Sequence, residues 1–299
     1  MQAWQTKVAV LSLAIVVFLL LQALGTVRGQ GAKTPAKKAS SVKAEMDVPY
    51  ADGGDEHMLD LYPPDKKGFT TVVFTFGGGW HTGSRKAVAP IGEKLQALGY
   101  GCALPSHRLS PQHKFPAQAE DIAAAFAWVK TNIAARGGDP KRVVLMGHSS
   151  GAQLSLLIAA DPRYLAKLKL APADIAAVIG LSAPVDLEPR KDGKGFGNSL
   201  MAGRGADVFN RDATIMRAAS PLNHITKNLP PVLLIVGERD FPMLEGDAKA
   251  FVEKATAEKS RATMMAAKNR DHMGVVRALL EDKSDVLESV LRFLREVKN

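Results

Sequence analysis

The chain has 299 residues, of which 46% are hydrophobic and 23% charged, with one cysteine and a formal net charge of +9. Such composition is globular and excludes wholesale disorder, collagen and long coiled coils. The single Cys102 excludes an internal disulfide framework and a cysteine-rich metal site. The length allows one or two domains of about 150 residues, or one α/β unit of about 250. The charge is unevenly spread. The first 45 residues hold six bases and one acid and carry +5, leaving +4 for the rest. Basicity is mostly a property of this tail, so no nucleic-acid partner is expected of the body.

At the N-terminus, Lys7 precedes an uncharged apolar run from Val8 to Leu21. The run has the length of a signal-peptide core and is short for a bilayer span of about 20 residues. Val27-Arg28-Gly29 is a tolerable cleavage site. Residues 1–29 therefore read as a signal peptide, and the protein as exported, secreted or periplasmic. Counted on to Val27 the run approaches spanning length, so an uncleaved membrane anchor is the alternative, with membrane contact confined to this segment. Residues 30–45 are small and basic, without large apolar side chains, and read as a flexible linker. A single folded domain is expected over 46–299.

Met58-Leu59-Asp60-Leu61-Tyr62 alternates apolar and polar before Pro63-Pro64 and predicts an outer strand. Thr71 to Phe76 is β-branched and aromatic and stops at Gly77-Gly78-Gly79. Helical spacing covers Ala87 to Leu98 and ends at Gly99. Tyr100 to Leu104 is a short apolar run, and Pro116 opens a helix to Ala135 that stops at Gly137-Gly138. Val143 to Met146, Ile175 to Leu181 and Val232 to Val236 are continuously apolar, as strands buried on both faces of a parallel sheet must be. Helices are predicted over 152–160, 246–258 and 284–297, with a short strand over 263–267. The alternation specifies a doubly wound, mostly parallel α/β domain. Residues 188–213 interrupt it with five glycines and many charges. They read as a small lid inserted over the site or as a plain surface loop.

Gly147-His148-Ser149-Ser150-Gly151 lies between the predicted strand at 143–146 and the helix that follows. Gly-x-Ser-x-Gly in this setting is a nucleophile turn, whose strained backbone projects the Ser149 hydroxyl and whose glycines avoid collision with strand and helix. The helix aims its positive end at developing negative charge, and the Ser150 N–H is expected to face an oxyanion. Phe76-Gly77-Gly78-Gly79-Trp80 follows an earlier strand. Its glycines allow close main-chain approach, with Gly78 and Gly79 the best N–H donors. No Gly-Lys-Ser/Thr follows, so a phosphate cradle is excluded. Trp80 and His148 are assigned to substrate contact, His148 also as a packing residue of the turn. Cys102, in an apolar strand, reads as a buried small hydrophobe.

These motifs resemble the α/β-hydrolase fold esterases, in the lipase/esterase branch with a His-Gly-Gly-Gly or His-Gly-Gly-x-Trp oxyanion motif. That branch includes hormone-sensitive-lipase-like carboxylesterases, acetylxylan and feruloyl esterases, and arylformamidases. Leu59-Asp60-Leu61-Tyr62 with Pro64 is similar to the opening strand of the family, and His107-Arg108-Leu109-Ser110-Pro111 to its Tyr-Arg-Leu-x-Pro. Phe115-Pro116-Ala117-Gln118 with Asp121 and Trp128 resembles the helix before the nucleophile, and Asp139-Pro140-Lys141-Arg142 its lead-in strand. Phe76 stands where the family usually has His, and His107 where it usually has Tyr, so Phe76 has to brace the loop by packing.

The resemblance implies the chain order serine, acid, histidine. Only His224 and His272 follow Ser149. Asp240, in Gly237-Glu238-Arg239-Asp240, resembles the acid turn of the family, and His272 stands where the family has its base. Asp186 is the alternate acid, Asp271 flanks, and His224 is structural. The implied function is an exported serine esterase. Ser149 is the nucleophile, His272 the base and Asp240 its orienter, with no cofactor or metal. The substrate is a small-molecule or polysaccharide-linked ester carrying a short or aromatic acyl group such as acetyl or feruloyl. An arylformamidase-like or peptidase-like amide hydrolase, and a noncatalytic binding member held at a membrane, are the alternatives.

Overall fold

The computed structural model describes residues 43–297. The expected signal peptide at 1–29, and nearly all of the linker expected at 30–45, lie outside the described residues. Eight strands form one sheet: β1 (Glu45–Pro49), β2 (Met58–Tyr62), β3 (Phe69–Thr75), β4 (Gly101–Pro105), β5 (Gly138–His148), β6 (Ala177–Leu181), β7 (Val232–Arg239) and β8 (Ala262–Asp271). Their order is β1-β2-β4-β3-β5-β6-β7-β8. β2 runs antiparallel to β1 and β4, and all other pairs are parallel. This is the mostly parallel, doubly wound sheet that the sequence implies.

Strand alternation divides the core between two faces. Val73 and Leu145 join one apolar cluster, while Val72, Phe74, Val144 and Met146 join the other, all fully buried. Burial on both sides is why the central strands read as unbroken apolar runs. Nine described helices cover the faces or connect them: α1 (Ala89–Ala97), α2 (Ala117–Asn132), α3 (Ser150–Ala160), α4 (Pro162–Ala166), α5 (Phe196–Ala202), α6 (Ala213–Ala218), α7 (Pro242–Ala257), α8 (His272–Arg277) and α9 (Asp285–Glu296). In α3 every residue is buried, which marks a central helix rather than a surface one. α9 instead buries one stripe, Val286, Leu287, Val290, Phe293 and Leu294.

Two expectations change. The strand at 58–62 is not outermost, because β1 pairs along it. Glu45-Met46-Asp47-Val48-Pro49 has no buried residue and carries two acids and a proline, the devices that protect an edge, and its alternation is too short to single it out. Residues 188–213 are neither a plain loop nor wholly a cover. They contain α5 and a tight helical turn at Arg204–Phe209. Ala206, Val208 and Phe209 are fully buried, and the Phe209 ring packs edge-on to Trp80 at 5.0 Å. The second half of the segment is thus part of the core beside the glycine loop.

Candidate active site

β3, β5, β6, β7 and β8 are mutually parallel, so the residues that follow them emerge on one edge of the sheet, where ligands of such folds bind. Ser149 sits there between β5 and α3 at φ 54°, ψ −125°, a conformation held only when its surroundings dictate it. Its N–H donates to the Leu181 carbonyl at 2.8 Å, fastening the turn to β6. A Cβ on Gly147 would lie 2.5 Å from the Gly151 main chain, and one on Gly151 would lie 2.3 Å from the carbonyl oxygens of Thr75 and Phe76. Both glycines are therefore demanded by backbone contact.

β7 and β8 pair in register from Val232 to Gly237, and after a bulge of two residues in β8 Arg239 lies opposite Asp271. The next residue of each chain segment is Asp240 or His272, and the two meet. His272 Nδ1 lies 2.7 Å from Asp240 Oδ1, and His272 Nε2 lies 2.9 Å from Ser149 Oγ. A carboxylate only accepts, so Nδ1 carries the proton and Nε2 is free to accept from the serine hydroxyl. The Asp240 side chain is 1% exposed. Burial alone would raise its pKa, but the hydrogen bond and charge of His272, the Ser182 hydroxyl and the Phe241 N–H together hold it below the usual carboxylate value. Ser182 Oγ donates to Oδ2 at 2.5 Å and the Phe241 N–H to Oδ1 at 2.9 Å. Ser182 was not identified from the sequence. The only signal for it is its place just after β6, and its partner lies 58 residues away.

The other candidate acids and bases lie outside this cluster. Asp186 is paired with Arg190 at 2.9 Å. Asp271 caps α8 through the Gly274 N–H at 2.6 Å. His224 donates from Nε2 to the Ala218 carbonyl at 2.8 Å, the structural role expected of it. Cys102 is buried, and burial pushes its thiol well above the ordinary range. Among the described residues no group of three His, Cys, Asp or Glu could hold a metal.

Gly77 is the member of the glycine loop nearest the nucleophile: a Cβ there would lie 3.0 Å from Ser149 Cβ. The Gly78 carbonyl is turned into the following bend, accepting from the N–H groups of His81 and Thr82 at 3.2 and 3.1 Å. In a trans peptide the N–H opposes the preceding carbonyl, so the Gly79 N–H points out of the bend. Ser150 opens α3, where N–H groups have no intrahelical partner. Phe76 is 3% exposed and stacks on His107 at 4.5 Å with rings 15° apart. It also fills the space over Gly83, where a Cβ would meet the Phe76 ring at 2.6 Å. This stacked pair is the packing brace that the substitution of Phe for the family His requires.

The two expected substrate contacts are corrected. Trp80 is 2% exposed, and its indole N–H donates to Gln153 Oε1 at 2.9 Å. Gln153 in turn donates to the Ala219 carbonyl at 2.7 Å. Trp80 therefore fixes the glycine loop to α3 and offers no surface to a ligand. His148 is 5% exposed and faces His272, with Nε2 at 2.9 Å from the His272 carbonyl oxygen.

Burial pushes the His148 pKa down to about 3, and the neighbouring His272 adds to the effect. In an unfolded chain the same group titrates near about 6.5. Below that pH the unfolded state takes up a proton that the folded state refuses, so stability falls as pH drops from about 6.5 towards 3. At about 1.4 kcal/mol per unit the loss reaches a few kcal/mol. Thermal melts from about pH 7 to about pH 4 should give a falling midpoint that His148→Gln flattens.

The BD-FAE family model matches residues 59–254. Esterase LipC of Mycobacterium tuberculosis is 32% identical over 193 residues, 62% of this chain and 48% of LipC. Esterase LipQ of the same organism is 28% identical over 264 residues, 83% of this chain and 61% of LipQ. The chain thus spans about half the length of the curated relatives it matches. Among solved structures, a truncated carbohydrate esterase from gut microbiota superposes with a TM-score of 0.74 at 22% identity, covering 89% of this chain and 99% of that one. Esterase B of Lactobacillus rhamnosis gives 0.71 at 23% identity, covering 85% and 86%. These likenesses establish the α/β-hydrolase fold, and with its family model matched across most of the folded body, this chain belongs to the BD-FAE family.

Proposed function

We propose that the protein is an exported serine esterase acting on short-chain or aromatic acyl esters, including acetyl or feruloyl groups on polysaccharide. The observation that carries this reading is the relay from Ser149 through His272 to Asp240, with hydrogen bonds of 2.9 and 2.7 Å. In it, His272 Nε2 takes the Ser149 proton as Oγ attacks the ester carbonyl, and Asp240 steadies the imidazolium that forms. The N–H groups of Gly78, Gly79 and Ser150 receive the oxyanion. As the ester bond breaks, His272 returns the proton to the leaving alcohol. Water, deprotonated by the same nitrogen, then releases the acid from the acyl-enzyme.

Support for ester chemistry comes from relatives named as esterases and from structural neighbours named as carbohydrate esterase or esterase. Support for an apolar or planar substrate group comes from the rim of the site. Phe241 is 46% exposed with its ring 4.7 Å from that of His272, and Met273 is 43% exposed. Large apolar side chains left open beside a reactive centre favour an apolar ligand part. Phe241→Ala should raise KM for p-nitrophenyl and feruloyl esters by about 3- to 10-fold, with a smaller effect on ethyl acetate.

The test is hydrolysis of p-nitrophenyl acetate, butyrate and octanoate, methyl ferulate, and an anilide of the same acyl group by the full chain. Turnover of the short or feruloyl esters ahead of octanoate and the anilide is the expected result. Preference for the anilide would replace the ester reading by an amidase. N-terminal sequencing of protein recovered outside the producing cell tests export, with a start near residue 30 expected.

A further inference from the structure

We propose that His148, the residue before the nucleophile, is a positioning residue for the base, tethering the His272 main chain to the nucleophile turn. The inference rests on the esterase reading above. The His148–His272 bond joins positions 124 residues apart, at 2.9 Å from Nε2 to the His272 carbonyl oxygen. A carbonyl only accepts, so His148 carries its proton on Nε2 and donates it. The His148 ring also lies against the His272 ring, centroids 4.8 Å apart and tilted by 49°. On its other side is Gly77, where a Cβ would lie 2.8 Å from the His148 carbonyl oxygen and 3.0 Å from Nδ1. One buried residue of the nucleophile turn thus touches both the glycine loop and the base turn.

The reaction makes this tether useful. His272 has to hold Nε2 within hydrogen-bond reach of Ser149 Oγ and then swing no further than the leaving oxygen. Asp240 restrains the ring at Nδ1, but a ring so held still pivots if its main chain shifts. His148 fixes that second point. The groups facing His148 are His272 and, beyond it, Asp240. Because burial keeps His148 uncharged, no second cation opposes the imidazolium that forms on His272.

His148→Phe keeps a ring and deletes the donor, whereas His148→Gln puts an amide N–H near the position of Nε2. Misplacement of a catalytic group by about 1 Å costs about 10²-fold. His148→Phe is therefore expected to lower kcat by about 10- to 10²-fold per phosphonate-titrated site, with KM changed little, and His148→Gln to recover most of it. A second readout needs no substrate: the downfield proton of His272 Nδ1, bonded to Asp240, should broaden or shift in His148→Phe and return in His148→Gln. A role in folding alone would lower the melting temperature without changing kcat per titrated site. Wild-type kcat per site and an unmoved Nδ1 proton in His148→Phe would overturn the proposal. Should the wild-type chain turn over no ester while the Nδ1 proton still responds to His148→Phe, the esterase reading fails and the tether is supported.

Discussion

Ser149→Ala should lower ester turnover by on the order of 10⁴- to 10⁶-fold while leaving the fold intact. The size follows from what remains. The oxyanion donors, the substrate rim and the His272–Asp240 pair all survive, but no other nucleophile on the described residues lies within reach of His272. Ser150 is the nearest hydroxyl in sequence, yet it opens α3 and is 2% exposed. Ser182 is committed to Asp240. Stability should change little or rise slightly, because the positive φ at position 149 is imposed by neighbours and persists in the variant. Burst titration with p-nitrophenyl butyrate and mass-shift labelling with a fluorophosphonate check the prediction. Retained turnover, or a phosphonate adduct elsewhere in the variant, would remove Ser149 from the mechanism.

The features legible in the sequence are those a short stretch of backbone imposes on itself. Gly147 is forced by contact within the turn itself, and Gly151, though what it meets is the end of β3, completes a five-residue pattern that announces Ser149 locally. Strands buried on both faces announce themselves as apolar runs. The order Ser149, Asp240, His272 was legible because each follows a predicted strand, two of them buried runs and the third the edge strand β8, and parallel strands open on the same edge. What escaped depends on which distant segments become neighbours. Ser182 gains its partner because β6 lies beside β7, and no motif around it says so. His148 turns from the assigned substrate contact into a donor to His272 because the chain leaving β8 brings His272 to the nucleophile turn. Trp80 has an aromatic ring and an N–H, as a ligand contact would, and only its burial and the bond to Gln153 identify it as a brace. The segment at 188–213 misled by composition: its glycines and charges surround α5, while Ala206, Val208 and Phe209, the part that enters the core, are too few to set a period.

The second large effect is expected from Asp240→Asn, at about 10²- to 10³-fold in kcat/KM, and its size depends on how the amide orients. Asp240 Oδ1 accepts from His272 Nδ1 and the Phe241 N–H, and Oδ2 from the Ser182 hydroxyl and, at 3.3 Å, the Gly237 N–H. With its NH₂ at the Oδ1 position the asparagine would oppose the close Phe241 N–H and force His272 into the other tautomer, a change that costs about 10⁴-fold where it occurs. With NH₂ at the Oδ2 position it meets Ser182, whose hydroxyl can rotate to accept, and only the long contact from Gly237 is lost. The second orientation wins, His272 keeps its Nδ1 proton, and what disappears is the buried negative charge that steadies the imidazolium. Loss of such stabilisation in a water-poor site is worth about 10²- to 10³-fold. Adding Ser182→Ala removes the acceptor for the NH₂ group, so the double variant should fall further, towards the tautomer-reversed level. Steady-state kcat/KM for the single and double variants, read beside the downfield Nδ1 proton, measures both steps. A single variant already at about 10⁴-fold with no Nδ1 proton would mean that Ser182 does not choose the orientation.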